Sequence, residues 1–185
     1  MSKERTHKAE YSGLPSVVAA AAATLRQGER LLDGLPPKAY TEPCPLAFDG
    51  TIGRHYRHCL DHFLIFVRDY ATGEINFDVR ERSVDLEVRP EAALDCTRNV
   101  RMELEALSAR ELELPAAFFA GSGHDDRYKA ASSTVGRELH YVTMHAIHHY
   151  ALIAIIARSR GLPLDPEFGV APSTLEYQRR EAVVH

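Results

Sequence analysis

Apolar residues recur at helical spacing over most of this chain. Leu14, Val18, Ala21, Leu25 and Leu32 share one stripe, which predicts a first helix over 15–32. Pro15 suits a first helical position, and Gly34 with Pro36 and Pro37 stops the helix. Residues 34–49 carry four prolines and little periodicity, and read as a loop. A second helix is expected over 51–70, capped by Asp49 or Thr51 and followed by Gly73. Between 75 and 88 the apolar positions alternate instead: Ile75, Phe77, Val79, then Val84, Leu86, Val88. That pattern fits an extended connection or a short hairpin, and Arg80 to Ser83 is a weak turn. Ala93, Thr97, Val100, Leu104 and Leu107 keep the 4-3-4-3 spacing of a bundle seam and predict a third helix over 90–109. A Gly-Ser-Gly-His-Asp-Asp loop occupies 121–126. A fourth helix begins after Ser132 and Ser133 and reaches about Arg160, ending at Gly161 and Pro163.

Four amphipathic helices with connections of mixed length predict an all-α four-helix bundle. The expected organisation is a flexible N-terminus over 1–13, the helical bundle over 14–162, and a C-terminal tail over 163–185. The tail opens on prolines and is expected to wrap the bundle irregularly rather than add a long helix. At 185 residues the chain is ample for one core.

Composition sharpens this. The longest apolar runs fall far short of the roughly 20 residues of a membrane span, and the first ten residues lack the apolar stretch of a signal peptide. Three cysteines without a CxxC pair read as reduced thiols, so a cytoplasmic protein is expected. A formal net charge of −4 with no basic cluster argues against nucleic acid as partner.

Histidine changes the picture most. Of ten, seven fall in two short segments, 55–62 and 140–149. Clustered imidazoles repel when protonated and need partners when buried neutral. On the second helix His55, His58 and His62 lie within roughly 60° of one another. On the fourth, His145 and His149 form an i,i+4 pair, His148 flanks them, and His140 points to the other side. Imidazoles one turn apart converge on a transition-metal ion, and a third from a facing helix leaves one position for water or substrate. Zinc leads, with nickel, iron and manganese as alternatives.

At these residues the sequence resembles the DinB/YfiT-like metalloenzyme family. Thr51-Ile52-Gly53 through His58, with Asp61 following, matches that family's second-helix pattern. His145-Ala146-Ile147-His148-His149 matches its last-helix pattern, although Tyr150-Ala151-Leu152 replaces the family's Arg-Gly-Gln. The resemblance spans roughly residues 14 to 160. It implies His58, His145 and His149 as metal ligands, a bundle with a long connection between helices two and three, and a dimer, which the apolar stripes permit. It also implies chemistry such as thiol S-transfer to a small molecule, with an external low-molecular-weight thiol as nucleophile. Beyond the triad, His62 is a candidate general base or further ligand and His55 an extra ligand. Asp61 is a candidate for orienting an imidazole through its second N–H. Glu138 and Tyr141 precede His145 on the same face; a helix-start charge is expected for the first and core packing for the second.

Overall fold

The computed structural model of this chain describes residues 13–120 and 129–184. It is mostly helical, with a small sheet. The helices are α1 (Ser16–Leu32), α2 (Pro37–Thr41), α3 (Ile52–Asp69), α4 (Val84–Val88), α5 (Pro90–Glu105), α6 (Ala109–Leu112), α7 (Val135–Ser159) and α8 (Pro172–Val184). The strands are β1 (Glu74–Ile75), β2 (Pro115–Ala120) and β3 (Lys129–Thr134). No helix among the described residues is long and apolar enough to cross a membrane.

The four long helices α1, α3, α5 and α7 start and stop where local chemistry directs. The Thr51 hydroxyl accepts from the backbone N–H of Arg54 at 2.9 Å and caps α3, and Thr134 does the same for α7 with Arg137 at 3.2 Å. Pro90 occupies the first turn of α5, where a missing N–H costs nothing. Gly161 ends α7 at a φ of 66°, a left-handed conformation that favours glycine. Helix α1 packs on α5 and α7, and α3 packs on the same two. Val18, Leu25, Phe63, Phe66, Leu104 and Ile153 are among the buried residues that fill the space between them.

Four expectations change. The chain is not all-α: β2 and β3 pair antiparallel from Pro115 opposite Thr134 to Ala120 opposite Lys129, and β1 joins β2 in parallel. Ser132 and Ser133 therefore belong to a strand that runs directly into α7. The 121–126 loop lies outside the described residues, as does the N-terminal segment over 1–12. Second, the alternating stretch after Ile75 is neither a hairpin nor extended throughout. It turns at Asn76, whose carbonyl accepts from Val79, and then forms α4; of Val84, Leu86 and Val88 only Leu86 is buried. Third, the tail does add a helix, the 13-residue α8. Ahead of α8 the tail folds onto the core, where Phe168 is buried with its ring stacked 4.8 Å from that of Tyr150. The third predicted helix is also shorter than expected, because α5 ends at Glu105 and a capping box at Ser108 and Glu111 starts the separate α6.

Candidate metal centre

The packing of α3 on α7 brings the two histidine stripes face to face. His58, His62 and His145 form one group whose ligand nitrogens all lie within 4.8 Å of one another. The His58 and His145 Nε2 atoms are 3.0 Å apart. The His149 ring stands beside them, 4.6 Å from the His58 ring and 4.7 Å from that of His145. His149 Nδ1 shares a 3.2 Å hydrogen bond with His55 Nδ1. Five of the seven clustered histidines thus meet in one place. His140 and His148 are exposed, and His148 only edges against His149.

Burial keeps these rings neutral. It is the first cause lowering His58 to about 3 and His145 and His149 to about 4, and the repulsion of neighbouring imidazoles adds to it. Arg80 depresses His58 and His145 further. His55 and His62 are lowered by burial as well. Neutral imidazoles offer lone pairs at pH 7 without first releasing protons, which is the state a metal requires.

Hydrogen bonds fix which nitrogen is available. His62 Nδ1 donates to the backbone carbonyl of His58 at 2.9 Å, one turn back on α3. That leaves His62 Nε2 as its ligand atom, oriented in the way outer-shell carbonyls commonly orient metal-bound histidines. The His58 ring is held differently. Arg80 Nη1 lies 2.8 Å from His58 Nδ1, and an arginine only donates, so Nδ1 accepts. A neutral His58 then carries its proton on Nε2 and donates it to His145 Nε2. Phe77 stacks on His62 at 5.5 Å, and Tyr141 touches both Phe77 and His145, forming an aromatic wall on one side of the cluster.

Several expected roles change. Asp61 is buried but does not orient an imidazole: its carboxylate accepts from Arg57 Nη1 at 2.8 Å, and Arg57 in turn donates to Glu87. The i,i+4 spacing to Arg57 on the same helix explains this, because the guanidinium is the nearer and stronger donor. The three whose ligand nitrogens fall within 4.8 Å of one another are His58, His62 and His145, while the expected ligand His149 stands beside them with its Nδ1 hydrogen-bonded to His55. Tyr141 is 42% exposed at the edge of the cluster instead of packed in the core. Glu138 is buried in the first turn of α7, where it accepts from the Ser133 hydroxyl and from Arg137. Sequence reasoning missed Arg80 and the role of Phe77. Phe77 belonged to the alternating stretch and so carried a burial signal; Arg80 carried none, because it reaches the cluster from an irregular segment.

Behind the histidines lies a buried polar chain. Tyr150 donates to the Tyr56 hydroxyl at 3.5 Å, Tyr56 to Thr97 at 3.0 Å, and Thr97 to the carbonyl of Ala93 at 2.6 Å. Burial pushes both phenols well above their ordinary range, so they remain protonated donors. Cys59, also buried, has its thiol pushed up by burial and packs against α7 near the Ala146 carbonyl.

Comparison with known proteins corrects the family expected from sequence. No family model matches the chain, and no solved structure matches it. It is similar to FK506-binding protein 5 of Rhizopus delemar, with 34% identity over 108 residues. That match covers 58% of this chain and 28% of the relative, so the chain spans well under half the length of the curated protein it resembles. The relative bears the name of a different family, and this overturns the DinB/YfiT-like assignment. The motifs at 51–58 and 145–149 therefore carry no membership of that family.

Proposed function

We propose that this chain is a metal-dependent protein whose four long helices form a bundle, with one divalent transition-metal ion held between α3 and α7. His58, His62 and His145 are its ligands, and His149 stands beside the fourth position. The convergence of three ligand nitrogens within 4.8 Å, from two helices, carries the reading. Nitrogens around a tetrahedral zinc stand about 3.3 Å apart, so small side-chain rotations suffice to close the site. Zinc suits three imidazoles, and nickel, iron or manganese are the alternatives. Such an ion lowers the pKa of bound water or of a small thiol and makes either a nucleophile near neutral pH. The chemistry that follows is hydrolysis of, or thiol transfer to, a small molecule.

The test is metal content per chain after reconstitution with zinc. Stoichiometric metal is expected in the wild type and in His140→Ala, with loss in His62→Ala and His145→Ala and a smaller loss in His149→Ala. Equal loss from His140→Ala, or no metal in the wild type, rules the site out. Turnover of candidate esters and thiols by the zinc form then separates an enzyme from a non-catalytic metal-binding domain. The likeness to FK506-binding protein 5 supplies a second reading, that this chain binds FK506, which direct titration with FK506 tests.

A further inference from the structure

Arg80 is placed against the logic of a metal site. A ligating histidine normally donates its second N–H to an acceptor, which frees the other nitrogen for the ion. At His58 the second nitrogen instead receives a hydrogen bond from a cation. While Arg80 donates to Nδ1, a neutral His58 keeps its proton on Nε2, the nitrogen that faces His145. Coordination through Nε2 moves that proton to Nδ1, and an Nδ1–H cannot accept from a guanidinium. Binding of the ion and the Arg80–His58 hydrogen bond therefore exclude each other. The alternative, an imidazolate that keeps Arg80 on Nδ1, requires a neutral imidazole to lose its last proton, which is costly near pH 7.

Two further observations bear on where the guanidinium goes. Its Nε is buried and lacks a hydrogen-bond partner among the described residues, so the fork is under-satisfied even while Nη1 holds His58. Its segment, between β1 and α4, is irregular, with Arg82 in the left-handed region at a φ of 53°. The Arg80 side chain is half-buried, and an oxyanion beside the divalent ion is an acceptor that fits its fork once His58 is released.

We infer that Arg80 is the anion-recognition residue of this site, and that the ligand it selects carries a carboxylate placed next to the metal. The inference rests on the metal reading proposed above. A single planar fork matches one carboxylate in bidentate fashion. The charge of Arg80 acts on His58, His62 and His145 alike, and at His62 it is opposed by Asp61 and Asp78. Aromatic Phe77 and Tyr141 stand against His62 and His145 and suit an apolar body attached to that carboxylate.

The experiment uses the full chain loaded with cobalt(II), whose visible spectrum reports coordination, and acetate as probe with acetamide as the neutral control. Acetate is expected to perturb the spectrum of the wild type, and acetamide is not. Arg80→Met is expected to weaken acetate binding at least tenfold while binding cobalt as tightly as the wild type or more so. Arg80→Lys, which keeps the charge but not the fork, is expected to fall between them. Equal acetate affinity in Arg80→Met, no acetate response in the wild type, or weaker cobalt binding in Arg80→Met each overturns the inference while leaving the metal site standing. Failure of the wild type to bind cobalt at all overturns the metal reading itself.

Discussion

Gly53 lies on α3 where the helix passes under the backbone of α4. A Cβ at this position would overlap the carbonyl oxygen of Glu87 and crowd the Tyr40 ring. Backbone cannot yield as a side-chain end can, so Gly53→Ala is expected to destabilise by about 1–3 kcal/mol, measured by urea unfolding. Thr97 is the acceptor that satisfies the Tyr56 hydroxyl and itself donates to Ala93. Thr97→Val keeps the shape and strips both hydrogen bonds, leaving a buried phenol without its acceptor. The expected cost is about 1–3 kcal/mol; a change within error of zero in urea unfolding would mean that the tyrosines re-pair at no cost. Gly28 belongs to the same layer, since a Cβ there would run into the hydroxyls of Tyr56 and Tyr150. At this scale the sequence was informative about residue type but not about partner. Asp61 is a carboxylate one turn from a histidine in any reading. Its pairing with Arg57 is a choice between two donors that only distance makes.

Among the elements, α3 matters most, because it carries His55, His58 and His62 and is tied to α4 by ions. Arg54 and Arg57 both donate to Glu87, and Arg57 also holds Asp61. The helix start depends on the Thr51 cap. Thr51→Ala is expected to lower stability by about 1 kcal/mol, and Thr51→Ser to restore most of it; the pair is compared by thermal unfolding. The long helices were legible because each buries one stripe over four or more turns, and a 3.6-residue period over that length has few rivals. The hairpin of β2 and β3 was not. Its strands, Pro-Ala-Ala-Phe-Phe-Ala and Lys-Ala-Ala-Ser-Ser-Thr, lack the strict alternation of a half-buried strand. Short elements such as α4 and α6 escape for a related reason, since five residues or fewer cannot display a period.

For the whole molecule, the histidine cluster makes stability depend on pH. In the metal-free chain His58 titrates at about 3 and His145 and His149 at about 4, below the ordinary 6.5. Between those limits the unfolded chain binds protons that the folded chain refuses. Stability from these groups is therefore level above about pH 6.5 and falls as pH drops from there toward 4. The melting temperature of metal-free protein is expected to decline across that window, and a flat profile would count against a buried cluster. On the proposed metal reading zinc favours the folded cluster over unfolded histidines, so saturating zinc is expected to raise the melting temperature at neutral pH. That gain should shrink on acidification as protons compete for the same nitrogens.

The sequence by itself determined the long helices and offered Thr51, beside Asp49, as the cap of the second. It also determined that two histidine stripes exist, each on one face of its helix. These are local properties: periodicity, capping and spacing act within a few residues and need no knowledge of the rest of the chain. Tertiary structure alone decided that His62 joins His58 and His145, and that His149 turns to His55. It also decided that Arg80 arrives from a distant irregular segment to hold His58. On α3 the three histidines differ by small rotations about the helix axis, too little for sequence to choose between them. The choice falls to the facing helix and to the segment after β1, whose positions follow from packing the whole core.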